Sequence, residues 1–308
     1  MVILYNSMPK RGQHWQQRLK QDFPDVEFRL WPDHGDLNEV TGIVVWKVDT
    51  ELLAQLPNLQ VIFTVSAGID QIPLDCIPES VQLIRMIDHD LEQQLTEYSC
   101  ATALSIYRGF HLYREAQAHS SWKPHSVGPA SEYRIGVMGL GQQGKAILRG
   151  LKPFGFALSG WARSQYSLEG VDCFAGNEHL PDFLNQLDIL LCVLPLTEQT
   201  RDILNQTLFE RLPQGAALIN IGRGEHLVEQ DLINALNEQH LSYAVLDVTR
   251  EEPLPKEHPF WLHPKIMLTP HAAGLTRPES GYQSFIKNLQ SYLNGEKAIG
   301  WVDRNKGY

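Results

Sequence analysis

An α/β protein with two doubly wound parallel sheets is what the sequence predicts, and three observations carry the prediction. Short apolar runs of strand length recur along the chain between segments of 3.6-residue periodicity. One such run, 135–138, passes directly into Gly139-Leu-Gly141-Gln142-Gln143-Gly144 and then into a helical stretch with Ala146, Ile147, Leu148 and Leu151, giving the order strand, glycine loop, helix. The runs before residue 86 are separated from that unit by a long helical stretch, so they need a sheet of their own.

The first sheet is expected from the runs 2–5, 43–46, 60–65 and 81–86, set against polar helical segments such as 51–56. Past the 60–65 run stands Ser66-Ala67-Gly68-Ile69-Asp70. Ligands of open α/β sheets sit at the carboxyl ends of strands, and a small-residue turn there offers backbone N–H groups to a carboxylate. Any tight turn after a strand reads the same way, so both readings stand. Residues 88–119 carry Leu91, Leu95, Tyr98 and Ala101 at helical spacing and read as one long helix between domains. The irregular stretch 120–129 follows, and its Trp122 reads either as an arm onto a second subunit or as a cap on its own domain.

In the glycine loop, Gly139 permits the tight turn, Gly141 lets the backbone approach a pyrophosphate, and Gly144 lets the helix pack on the strand. The free N–H groups at the helix start, with Gln142 and Gln143 among them, face the anion. A second strand, 156–161, ends where an NAD-binding chain carries an acidic residue for the ribose 2′-OH, and no carboxylate is near Ala162. Arg163 and Ser164 come next, a cation and a hydroxyl that suit a 2′-phosphate, so the cofactor reads as NADP(H), with NADH the weaker alternative. The other reading of Arg163 is a solvated loop arginine. Four more runs, 188–193, 216–221, 243–247 and 266–269, continue this sheet, with a helix expected at 227–236. A last amphipathic helix, Tyr282, Phe285, Ile286, Leu289, Tyr292 and Leu293, is expected to return to the first domain.

The charge balance excludes some functions. The formal net charge is −10 with basic residues scattered, so no nucleic-acid partner is expected, and an anionic substrate must be drawn in by local cations. Four cysteines lie far apart without a CxxC pair and read as free thiols. No basic leader precedes the opening MVILYN and no apolar stretch approaches a membrane span, so a cytoplasmic location is expected. No metal is expected, because no ligand cluster is visible.

Three polar side chains directly follow three strands: Arg223 in 219–224, Glu252 in 246–253 and His271 in 268–274. Each alone is unremarkable on a protein surface. Together, a cation, an acid and a histidine at one sheet edge are what carbonyl reduction needs. The arginine holds a carboxylate and polarises a keto oxygen, the histidine donates the proton, and the glutamate orients it and favours its charged form.

The motifs GLGQQG at 139–144, PLTEQTRDIL at 195–204, INIGRGEHLVEQDLINAL at 219–236, LDVTREEPLP at 246–255, TPHAAGLT at 269–276 and the closing VDRNKGY at 302–308 carry a resemblance. Over nearly its whole length the chain resembles the D-2-hydroxyacid dehydrogenase family, and within it the glyoxylate/hydroxypyruvate reductase A group. The resemblance implies a flavodoxin-like substrate domain, 1–98 plus 282–308, and a Rossmann NADP-binding domain, 99–281. It implies a catalytic set of Arg223, Glu252 and His271, with Ala67, Gly68 and Arg223 binding substrate. It adds Leu194, Pro195, Thr200, Ile221, Asp247 and Ala273 to the cofactor contacts, Asp247 on the nicotinamide amide.

The implied activity is NADPH-preferring reduction of small 2-keto acids, glyoxylate to glycolate and hydroxypyruvate to D-glycerate, by a homodimer. The alternatives are a dinucleotide-sensing binding protein on the same fold and another D-2-hydroxyacid dehydrogenase of different substrate. Two departures stand out. Gly222 precedes the arginine where the family often has Ala, and Glu251 neighbours Glu252, which is chosen as the residue immediately before the proline.

Overall fold

Val2–Asn6 (β1), Glu27–Leu30 (β2), Val40–Val45 (β3), Val61–Thr64 (β4) and Gln82–Ile84 (β5) form a parallel sheet in the order β2-β1-β3-β4-β5. This is the flavodoxin-type order, with its switch point between β1 and β3. The computed structural model describes residues 1–69 and 71–304, so Asp70 and the end of the 302–308 motif lie outside the described residues. The sheet belongs to the first of two compact units, Met1–Leu91 with Thr276–Tyr308; the second is Glu92–Leu275.

Strand alternation sends Ile3, Tyr5 and Phe63 to one face of the first sheet and Leu4, Ile43, Val45 and Ile62 to the other, both covered. The first of these faces explains why the helix Pro278–Leu293 belongs with the N-terminal strands. Its Phe285 stacks on Trp15 at 5.2 Å, and the Trp15 indole N–H donates to Pro278 O at 2.9 Å. Burying each such apolar side chain contributes about 1.5–3 kcal/mol.

The second unit holds Arg134–Met138 (β6), Ala157–Ala162 (β7), Asp172–Ala175 (β8), Ile189–Cys192 (β9), Ala216–Asn220 (β10), Leu241–Leu246 (β11) and Ile266–Leu268 (β12), in the order β12-β11-β10-β9-β6-β7-β8. Counted within the unit, this is the Rossmann order with one more strand, and the switch point lies between β6 and β9. Met138 pairs with Cys192, Cys192 with Asn220, Asn220 with Leu246, and Leu246 with Leu268. That register brings the carboxyl ends of five strands level, and the five sequence motifs between 139 and 276 lie in the loops that leave from this edge.

Some elements differ from the sequence reading. The stretch expected as one helix over 88–119 is two, His89–Tyr107 and Phe110–Ala118, broken at Gly109 with φ +68°. Apolar periodicity continues across that glycine and hides the break. The edge strands β2 and β8 were not anticipated, since Glu27–Leu30 is half polar with only Phe28 buried and Asp172–Ala175 buries no side chain fully. The units part at residues 91/92 and 275/276, where the sequence reading had 98/99 and 281/282. The first parting falls inside the helix His89–Tyr107, whose periodicity marks no linker, and the second in the irregular stretch just before the helix Pro278–Leu293. The side chain of Trp122 is 100% exposed, so it does not cap its own unit. Among the described residues no helix is long and apolar enough to cross a membrane.

Candidate active site

The glycine loop leaves β6 at the switch point and turns into the helix Gln142–Leu151. Gly139 has φ +109°, where an L side chain is strained, and a Cβ on Gly144 would stand 1.8 Å from Gly139 O. A Cβ on Gly141, by contrast, would meet nothing within 4 Å. The backbone therefore borders open space at Gly141, and no side chain caps the helix that starts there. Exposed amides at the positive end of a ten-residue helix, facing room for an anion, fit a dinucleotide pyrophosphate. Gln142 is exposed and Gln143 half-buried at this start. Arg163 and Ser164 follow β7 directly and are exposed, so the loop after the second strand offers a cation and a hydroxyl.

Beyond β9, Leu194 is buried and Pro195 opens a turn. The Thr200 hydroxyl donates to Pro195 O at 2.7 Å and accepts from the Thr197 N–H at 2.8 Å. Ile221 and Ala273 are buried at the same sheet edge.

His271 and Glu252 come together although 19 residues separate them: Nδ1 lies 2.8 Å from Glu252 Oε2. A carboxylate only accepts, so Nδ1 carries a proton and Nε2 is the nitrogen that can exchange one. The Thr249 N–H donates to the other oxygen, Oε1, at 3.1 Å and fixes the carboxylate from behind. The pair is partly open, with side chains 46% and 38% exposed.

Arg223 sits in the loop after β10, half-buried, with its carbonyl accepting from Asn220 Nδ2 at 3.1 Å and its Nη1 donating to Gly222 O at 2.9 Å. The next residue, Gly224, has the Thr249 backbone so close that a Cβ would stand 2.0 Å from it, which docks the arginine loop on the turn holding Glu252. Ala67 and Gly68 lie in the first unit, in the loop past β4. Their carbonyls accept from Arg85 Nη1 at 3.0 Å and from the Ser66 hydroxyl at 2.8 Å.

Asp247 stands at the end of β11, only 3% exposed, and shapes the histidine loop. Its Oδ1 accepts from the Thr269 hydroxyl at 2.5 Å and the Ala272 N–H at 2.8 Å, its Oδ2 from the Ala273 N–H at 3.0 Å, and its carbonyl from the His271 N–H at 2.8 Å. These bonds hold His271 at φ +52°, a left-handed conformation that non-glycine residues adopt only under constraint. Three of the carboxylate's roughly four acceptor sites are thus used inside the protein.

The sequence reading missed the next link, Tyr98, whose hydroxyl lies 2.7 Å from Thr269 Oγ1 across 171 positions. Thr269 gives its proton to Asp247, so Tyr98 must donate. Burial pushes the Tyr98 hydroxyl up to about 12, which keeps that proton in place at neutral pH. Helical spacing marks Tyr98 as inward-facing, but no sequence signal pairs it with a threonine in another motif.

Family comparisons agree with this geometry. The model described as "D-isomer specific 2-hydroxyacid dehydrogenase, catalytic domain" matches residues 2–107, and "D-isomer specific 2-hydroxyacid dehydrogenase, NAD binding domain" matches 100–273. The chain is 37% identical to glyoxylate/hydroxypyruvate reductase A of Yersinia enterocolitica, covering 100% of this chain and 99% of that one. Among solved structures it is similar to a D-isomer specific 2-hydroxyacid dehydrogenase from Xanthobacter autotrophicus Py2 in complex with NADPH and MES, at TM-score 0.93 and 34% identity over 100% of this chain and 99% of that one. It is also similar to the NADPH-dependent glyoxylate/hydroxypyruvate reductase of Sinorhizobium meliloti in complex with NADP and sulfate, at TM-score 0.91 and 31% identity over 100% and 99%. Two sheets in the flavodoxin and Rossmann orders, a histidine–glutamate pair at the second sheet's edge, and family models that together cover most of its length all lead to one conclusion: the chain belongs to the D-isomer specific 2-hydroxyacid dehydrogenase family.

Proposed function

We infer that this protein is an NADPH-preferring reductase of small 2-keto acids, turning glyoxylate into glycolate and hydroxypyruvate into D-glycerate. The observation that carries the chemistry is the 2.8 Å pair of His271 Nδ1 and Glu252 Oε2 at the sheet edge where the glycine loop opens. The substrate class and the cofactor follow the Yersinia and Sinorhizobium relatives, whose names give glyoxylate/hydroxypyruvate reduction and, for the latter, NADPH dependence.

Bound NADPH supplies a hydride to the keto carbon. The glycine-loop amides and the start of the helix Gln142–Leu151 would hold its pyrophosphate, and the turn from Leu194 to Thr200 with Ile221, Asp247 and Ala273 would line the nicotinamide end. Arg223 is assigned the substrate carboxylate and the keto oxygen, where its donors stabilise charge that grows in the transition state. His271 gives the proton on Nε2 to that oxygen as negative charge builds, while Glu252 keeps Nδ1 protonated and balances the imidazolium. The Ala67 and Gly68 backbone of the first unit is assigned to the substrate carboxylate. Adding glyoxylate or hydroxypyruvate to enzyme with NADPH should bleach the nicotinamide absorbance; a binding protein on the same fold would leave it unchanged.

Cofactor choice is assigned to Arg163 and Ser164. A charge-assisted hydrogen bond contributes about 1.5–3 kcal/mol, roughly ten- to a hundredfold in affinity. Arg163→Ala should accordingly raise the KM for NADPH by about that factor and leave NADH almost untouched. Equal losses with both cofactors would make Arg163 a support for its loop only.

A homodimer through the coenzyme-binding unit, in the cytoplasm, completes the proposal. What supports the dimer is the apolar surface around the irregular stretch, with Trp122 fully exposed and Phe110 55% exposed. Light scattering at micromolar concentration should give twice the 35.0 kDa chain mass, and Trp122→Ala should weaken that species. A wild-type monomer would rule it out.

A further inference from the structure

Three residues past Arg223, His226 is wholly buried, and the reaction assigned above makes no use of it. Its ring bridges two loops. Nδ1 accepts from the Arg223 backbone N–H at 3.0 Å, and Nε2 lies 3.3 Å from Pro195 O. A peptide N–H can only donate and a carbonyl can only accept, so the two contacts together demand one protonation state: Nδ1 bare, Nε2 protonated, ring neutral. An imidazolium would set two N–H donors against each other at Arg223. The same Pro195 carbonyl closes the Pro195–Thr200 turn through the Thr200 hydroxyl.

The surroundings lock this arrangement. The ring lies so close to Gly222 that a Cβ there would stand 2.8 Å from Nδ1. Cys192 Sγ is 3.9 Å from the same nitrogen, and burial pushes that thiol up to about 12, so it stays an uncharged neighbour. Along the backbone, His226 O accepts from the Leu204 N–H at 2.8 Å, and the Asp202 N–H donates to Glu225 O at 2.9 Å, tying the segment to the end of the 195–204 motif.

We propose that His226 is a positioning residue for Arg223: a buried neutral imidazole that clamps the arginine's backbone to the turn lining the nicotinamide side. This rests on Arg223 being the substrate anchor. The clamp couples the loop that carries the substrate's cation to the loop that would border the cofactor, so losing it should misplace the guanidinium relative to the reacting carbon.

Two substitutions separate this from core filling. In His226→Asn the amide oxygen takes the place of Nδ1 and still accepts from Arg223, whereas His226→Leu fills similar space with no acceptor. A positioning role predicts that His226→Leu lowers kcat/KM for the keto acid about tenfold, the effect of leaving one buried main-chain donor without its partner, and that His226→Asn, which keeps the acceptor for Arg223 but is too short to replace the donor to Pro195 O, recovers part of it. A filler role predicts the reverse ranking. His226→Leu performing like wild type, or His226→Asn failing as badly as a His226→Leu enzyme of equal melting temperature, overturns the proposal.

Should neither variant fold, ring ¹⁵N–¹H correlations of wild-type protein decide: the Nε2–H tautomer is expected, and a proton on Nδ1 overturns it. Arg223→Ala measured alongside keeps the two readings apart. If that variant loses nothing, the anchor assignment is what fails; if it loses activity while His226→Leu costs nothing, only the clamp fails.

Discussion

Arg223→Ala is expected to lower kcat/KM for glyoxylate by about 10²–10³, the usual cost of removing one donor aimed at a developing oxyanion. The substitution should leave the fold intact. Two bonds that shape the loop, from the Arg223 N–H to the His226 ring and from the Asn220 amide to the Arg223 carbonyl, use only the main chain of Arg223, which alanine keeps. Arg223→Lys should recover little, because one compact ammonium cannot present the planar pair of donors that a carboxylate and a keto oxygen share. Steady-state kinetics with NADPH saturating, alongside a thermal melt, checks this. A variant with near wild-type kcat/KM would remove Arg223 from the site.

The second large effect is expected at His271. Removing a positioned general acid costs about 10²–10⁴ in rate, and His271→Asn is the suitable replacement because asparagine tolerates the left-handed backbone that φ +52° requires better than most residues. Its kcat should fall by that factor while NADPH binding, followed by nicotinamide fluorescence, stays near wild type. Glu252→Gln should fall less, about ten- to a hundredfold, the worth of a hydrogen bond to a charged group. A His271→Asn enzyme that keeps most of its kcat would place proton transfer elsewhere.

Most of the scaffold could be read from buried runs, because a strand covered on both faces is almost continuously apolar, as Ile189–Cys192 is throughout and Ala216–Asn220 is up to its final asparagine. Edge strands escape that logic: Glu27–Leu30 alternates, and its Arg29 forms ion pairs with Glu27 and Glu39. Gly109 escaped because apolar spacing on both sides kept the same phase. In the candidate site, Arg223, Glu252 and His271 stand out as candidates because each lies in the loop after a strand of one sheet. What could not be read was the set of residues holding them. Tyr98 reaches Thr269 only through the fold, and the role of His226 depends on which ring nitrogen its burial leaves bare. Asp247 was assigned to the cofactor by resemblance, while its part in bending the His271 loop emerges from four backbone and hydroxyl contacts.

The measurement that bears most directly on the account is kcat/KM against pH in both directions, keto acid with NADPH and hydroxy acid with NADP. Reduction needs a proton on His271 Nε2 and oxidation needs that nitrogen bare, so one proton serves both directions. The reductive profile should fall as pH rises and the oxidative profile should climb over the same interval, with both features gone in His271→Asn. Profiles that run parallel, or that persist in His271→Asn, would contradict a proton carried by this histidine.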